Sequence, residues 1–212
     1  MAIKGLSAGI ALLPLVLLTA CSQTAINKPA SVTPVNQPVS QQSAWQKRQA
    51  FLTRKNTWQL ASRASLRLDQ ENLIFGLNWA QTANNYVIQI NNPLTGGLVS
   101  KLTRSNGVVT LLADNGRTFR DNDEERLLKT QSGLTIPLKG MQYWVRGLTA
   151  PQYKVDQLIL DGAGRPRTLK QAGWDVSYTS YVNNGTNALP RKINLSRGAE
   201  KIFIRLIAKN WK

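Results

Sequence analysis

Apolar and polar residues alternate through most of this chain, and turn residues break the alternation at short intervals. Runs of this kind lie near residues 59–69, 73–80, 86–91, 97–104, 108–113 and 117–120, and resume near 153–160, 166–171, 174–182, 191–197 and 201–208. A period of two sends successive side chains to opposite faces, so each run predicts a strand. Three Asn-Gly pairs, Asn106-Gly107, Asn115-Gly116 and Asn184-Gly185, are hairpin signals. Strand after strand joined by tight turns implies an antiparallel sheet large enough to curl. Two of the runs, "LIFGL" and "KIFIRLI", do not alternate cleanly and look apolar on both faces.

Helical spacing replaces the alternation in two places. In "SAWQKRQAFLTRKNTW", Trp45, Arg48, Phe51 and Leu52 recur at intervals that suit an amphipathic helix. The mid-chain interruption, "DNDEERLLKTQSGLTIPLKGMQYWVRGL", sets acids from Asp121 to Glu125 ahead of Arg126 and Lys129, with Gly133 as a stop. After it, Pro137 can open a second helix, with Leu138, Met141, Trp144 and Val145 on one face. The fold class is therefore mainly β with α: about eleven strands and about three helices. If the sheet curls, its concave side needs covering. The inserted helices then leave either a filled core or a lined cavity.

The N-terminus adds a compartment. "MAIKGLSAGIALLPLVLLTAC" has a basic start, an apolar run too short to span a bilayer, and then small residues, the layout of a secretory signal. Its end, Leu18-Thr19-Ala20-Cys21, resembles the lipobox of bacterial lipoproteins, which implies cleavage before Cys21 and lipidation of that residue. Cys21 is the only cysteine, so no internal disulfide is expected. The following segment is polar and dotted with Pro29, Pro34 and Pro38, and reads as a flexible tether. The organisation expected is residues 1–20 signal, 21–43 lipidated tether and 44–212 a single domain. Ser22, where retained lipoproteins often carry Asp, resembles the outer-membrane class.

Charge narrows the partners. The chain has 27 Lys and Arg against 11 Asp and Glu, a formal net charge of +16. Such a field suits nucleic acid, anionic lipid or an acidic protein. An exported lipoprotein does not meet nucleic acid, so lipid headgroups and an acidic partner remain.

Catalytic equipment is sparse. There is no histidine, which removes the commonest general base and the usual zinc ligand. The acids of Asp121–Glu125 read as helix caps. A carboxylate pair could still converge in space, as a glycosidase needs, and Ser100-Lys101 offers neighbours, though adjacent strand residues face opposite ways. An enzyme is not expected, and neither a metal nor a cofactor is.

One short stretch stands apart: "NNPLTGG", residues 91–97, joins two strand runs and carries Leu94 among turn residues. Leu94 either folds back onto the core or projects. Its context, "NPLTGGLVSKL", together with "GLTIPLKGMQYWVRGL" and "GWDVSYTSY", resembles the outer-membrane lipoprotein receptor family LolB, and the likeness covers nearly the whole mature domain. The resemblance implies an unclosed antiparallel β-barrel capped by helices around a hydrophobic cavity. It implies a monomeric receptor on the periplasmic face of the outer membrane, anchored through Cys21. That receptor takes acylated lipoproteins from the carrier LolA and inserts them among outer-membrane phospholipids. By the same resemblance, Leu94 is a membrane-inserting finger on a loop shaped by Pro93, Gly96 and Gly97, and Trp79, Trp144 and Trp174 line the acyl-chain cavity. The rival reading is a structural envelope lipoprotein with no lipid cavity.

Overall fold

The computed structural model describes residues 38–212 apart from Gln70, so the signal peptide, Cys21 and most of the expected tether lie outside the described residues. A helix comes first, α1 (Val39–Arg54). Six strands follow: β1 (Thr57–Leu68), β2 (Glu71–Thr82), β3 (Asn85–Asn91), β4 (Leu98–Ser105), β5 (Val108–Leu112) and β6 (Thr118–Asp121). Two helices, α2 (Glu124–Ser132) and α3 (Leu138–Trp144), precede β7 (Val155–Leu160), β8 (Pro166–Gln171), β9 (Trp174–Tyr181), β10 (Pro190–Arg197) and β11 (Ile202–Trp211). Helix α1 begins at Val39, so the last residues assigned to the tether are helical.

All eleven strands form one antiparallel sheet in the order β6-β5-β4-β3-β2-β1-β11-β10-β9-β8-β7. The edge strands β6 and β7 do not pair, so the curled sheet is an unclosed barrel, and the segment carrying α2 and α3 runs from one edge to the other. Alternation behaves as the pattern requires. On β1, Trp58, Leu60, Ala64 and Leu66 are buried, and on β11 Ile202, Ile204 and Leu206 are buried while Arg205 is exposed. The run "LIFGL" has a different explanation: Leu73 and Ile74 point to opposite faces and both are half-exposed.

The turns follow local chemistry only in part. Asn106-Gly107 is a two-residue hairpin with φ of 51° and 81°, the left-handed pair that such a turn demands. Asn184-Gly185 instead sits in a wider loop, closed where Val182 N–H donates to Leu189 O at 3.0 Å. Helix α2 starts where Asp123 accepts from Arg126 N–H at 2.8 Å and stops at Gly133, φ 73°. Asp121 accepts from the Arg126 guanidinium, and that bond holds its carboxyl near pKa 2.

Helix α1 is secured by an arginine. Arg48 is fully buried between Trp45 and Leu52. Its Nη1 donates to Thr186 O at 2.6 Å and Ala188 O at 2.8 Å, and its Nη2 to Arg146 O at 2.8 Å. Its Nε reaches Gly147 O at 3.4 Å. Arg146 returns the contact, donating to Leu52 O at 3.1 Å and Lys55 O at 2.9 Å. Two helix ends are thus cross-clamped, each by the other's guanidinium. Burial lowers the pKa of both arginines, Arg146 to about 10.

Truncating Arg48 leaves these carbonyls without a donor inside the protein. Arg48→Ala is expected to lower unfolding free energy by roughly 3–5 kcal/mol, the range for breaking a buried charged network, measured by urea titration. Arg48→Lys recovers only a fraction, because one ammonium does not present a planar fork of donors.

Candidate functional site: an apolar strip leading to the Leu94 loop

The inner face divides into a covered and an uncovered part. Over β8 and β9 the helices lie close. Trp144 is completely buried, its ring 6.3 Å from that of Trp174, and its Nε1 donates to Gln171 Oε1 at 2.8 Å. Tyr178 O–H donates to Trp144 O at 2.9 Å, and burial pushes this phenol's pKa up. The face expected on α3, Leu138, Met141 and Trp144 with Val145, is buried as a unit.

Trp79 belongs elsewhere. Its ring lies 5.3 Å from Trp58 and 6.3 Å from Tyr86, and its Nε1 donates to Gln81 Oε1 at 3.0 Å. Burial raises the pKa of Tyr86, and the neighbouring Glu124 carboxylate adds to the effect. The three tryptophans are therefore split between two ring clusters, and the indole N–H groups of Trp79 and Trp144 are satisfied by glutamines. Beside Trp79 a recess of about 140 Å³ opens among Tyr86, Arg104, Glu124 and Lys139. A second, of about 280 Å³, lies among Gln59, Asn78, Gln89 and Lys212. Both linings mix polar groups with apolar side chains, Leu138 in the first and Leu60 and Val87 in the second. Side chains pack closely around Trp144 and Trp174, while Trp79 lines both recesses.

What is open lies farther along the inner face of β2 and β3. Register places Leu77 opposite Ile90 and Ser62, Phe75 opposite Ala64, and Leu73 opposite Leu66. These are inward positions in line with buried Trp79 and Ile88, yet Leu77, Phe75 and Ile90 are only partly buried and Leu73 is 50% exposed. Pairing of β2 with β3 stops at Gly76, so the first residues of β2 face solvent along one edge. A bulge where β4 meets Ile90 and Asn91 leaves both Leu98 and Val99 exposed. An apolar strip thus runs from Trp79 along the inner face to the β3–β4 loop.

At the end of the strip stands Leu94, 90% exposed. Of the two alternatives for this side chain, folding back is ruled out. Its loop is internally tied: Asn92 N–H donates to Gly97 O at 2.8 Å and Gly96 N–H to Asn92 O at 2.9 Å. The Asn92 side chain accepts from the backbone N–H of Leu94 at 2.9 Å and of Thr95 at 3.1 Å. Thr95 Oγ1 accepts from Gly97 N–H at 3.2 Å. Of the two glycines only Gly96 needs a left-handed backbone, φ 74°. The residue that sequence reasoning missed is Asn92, and the signal was present, since an asparagine ahead of a turn commonly bonds the backbone two residues on.

A curled antiparallel sheet with a solvent-facing apolar strip defines an open-barrel protein. Comparison with known proteins gives the family: residues 56–211 match the family model described as outer membrane lipoprotein LolB. The chain belongs to the LolB family. It is 31% identical to the outer-membrane lipoprotein LolB of Alkalilimnicola ehrlichii over 84% of this chain and 86% of that one. It is 32% identical to the Pseudomonas putida protein of the same name, over 79% and 80%. A crystallised domain from Vibrio parahaemolyticus shares the fold with a TM-score of 0.52 at 9% identity, covering 80% of this chain and 90% of that one.

Two changes test how the loop is held. Asn92→Ala removes the acceptor for two amides and is expected to speed hydrogen exchange at Leu94 and Thr95 by about fivefold, for a local loss of about 1 kcal/mol. Gly96→Ala strains the left-handed position by about 1 kcal/mol, seen as a lower thermal midpoint with the core spectrum unchanged.

Proposed function

We propose that this chain is an outer-membrane receptor, anchored through lipidated Cys21, that accepts acylated lipoproteins from the periplasmic carrier LolA and inserts them into the facing leaflet. The observation that carries the reading is the uncovered inner strip of Leu73, Phe75, Leu77 and Ile90, continuous with a projecting Leu94. An acyl chain seated on the strip is withdrawn from water, at roughly 0.8 kcal/mol per buried methylene. Release into solvent would forfeit that term. Transfer between two apolar grooves placed mouth to mouth avoids the exposure and needs no chemical step. A difference of about 1.4 kcal/mol between them already gives tenfold direction.

Leu94 then acts at the exit. Burying one leucine contributes roughly 1.5–3 kcal/mol, enough for reversible contact with a bilayer and too little to hold the protein there. The anchor supplies retention, and the finger supplies orientation. The packed interior around Trp144 and Trp174 favours a second reading, a structural lipoprotein that holds no acyl chain.

The deciding experiment mixes the protein with a carrier–lipoprotein complex and locates the cargo by native mass spectrometry. Movement of acylated cargo onto this chain supports the receptor. Cargo that stays on an active carrier supports the structural module. Leu73→Glu, a charge on the strip at an exposed position, is expected to cut acceptance at least tenfold without loss of fold. Leu94→Glu is expected to leave acceptance intact and to abolish delivery to vesicles, read as cargo recovered in the membrane fraction.

A further inference from the structure

The outer face of the sheet carries a pattern that the transfer reading does not use. Outward positions on β1 hold Arg63 and Arg67, and those on β11 and β10 hold Arg205 and Lys192; all four are exposed. Among the described residues none of the four forms an ion pair. Outward positions of β1 from Arg63 to Arg67, of β11 from Phe203 to Ile207 and of β10 from Lys192 to Ser196 include no acid. Phe203 lies opposite Arg67, and the guanidinium carbons of Arg67 and Arg205 stand 5.0 Å and 5.7 Å from its ring centre. Ile74 faces the same way, opposite Ser65, which in turn lies opposite Arg205, and it is 49% exposed.

We propose that this outer face, Ile74 and Phe203 framed by Arg63, Arg67, Arg205 and Lys192, rests on the anionic phospholipids of the bilayer into which Leu94 dips. Cations set beside apolar side chains suit the headgroup boundary. The guanidinium fork pairs two donors with a phosphate, while the aliphatic and aromatic surface sits at the level of the first methylenes. An acidic protein partner would use the charges but leave Ile74 without a role. The site also lies next to the loop. Ile74 is on the stretch of β2 just before its pairing with β3 begins, and β3 leads directly into the loop. Contact by this face sets the tilt of the domain and so aims the inner strip, on the opposite side of the same strands, along the membrane surface. The proposal rests on Leu94 being the membrane-contacting tip.

The test uses the full-length lipidated protein in vesicles. Because Cys21 is the only cysteine and is consumed by acylation, Ile74→Cys provides a single thiol for a polarity-sensitive dye. Leu94→Cys reports on the finger, and Val182→Cys on the β9–β10 loop serves as the exposed control. In vesicles with about one third phosphatidylglycerol the dye at 74 should shift to shorter wavelength, and in pure phosphatidylcholine it should not. Each cation near an anionic surface contributes about fivefold, so Arg67→Gln with Arg205→Gln should reduce the inserted fraction relative to the free one roughly twenty- to thirtyfold. Raising salt to about 1 M, where screening acts over about 3 Å, should do the same. A dye at 74 that stays in water while the one at 94 enters lipid overturns the face and leaves the finger standing. Equal insertion in neutral vesicles, indifferent to the arginine changes, overturns the role of charge. If neither dye enters lipid, the finger falls along with the face.

Discussion

The structure depends on a reciprocal clamp between two buried arginines and two helix ends. Arg48 of α1 donates to the carbonyls that follow α3, and Arg146, just beyond α3, donates to the carbonyls that end α1. Among the described residues neither forms an ion pair with a carboxylate. Their charge is balanced by aligned carbonyls at helix C-termini, where the macrodipole favours a cation, and by the rings of Tyr181 and Trp58 at 5.5 Å. A guanidinium suits this role because its donors are planar and pre-spaced. Desolvating a cation in this way is costly, and the cost makes the arrangement selective: a shifted helix would leave a buried charge unpaired.

The clamp explains why one part of the inner face can be left open. Once α1 and α3 are locked to each other and to the β9–β10 loop, through Thr186 and Ala188, the Trp144–Trp174 cluster is sealed without help from β2. The first half of β2 is then free to keep apolar residues exposed, a feature that in a free-standing sheet would invite edge-to-edge association. Glu71 and Asn72, both exposed at the start of that edge, work against such pairing.

Much of this was legible in the chain. Strand after strand with period two fixed the sheet, and the acids before Arg126 with Gly133 after fixed α2, because these signals are local. The face of α3 was legible for the same reason. Arg48 was not: an arginine at a helical spacing reads as solvated, and its acceptors lie 98 to 140 positions away. The fate of Trp144 was hidden for a related reason. Trp144 meets Gln171 from 27 positions away, whereas Gln81, two positions from Trp79 on the same strand face, was within local reach. Leu94 was singled out by its turn setting, but its projection follows from Asn92 fixing the loop, a contact that competes with any folding back.

A receptor that passes lipid onward works with small differences, and the distribution of order and exposure in this fold fits that requirement. A deep chamber would bind an acyl chain tightly and release it slowly, since each enclosed methylene adds roughly 0.8 kcal/mol to the barrier against leaving. A strip open along one side holds the same chain with part of its surface still accessible, so the next apolar surface can take it methylene by methylene. On the reading proposed above, the exit must therefore be firmly placed while the seat is shallow. The loop meets the first condition through hydrogen bonds that are all its own, from Asn92, Thr95 and Gly96, so Leu94 is presented without support from the core. The strip meets the second because the clamp that secures the helices lies elsewhere.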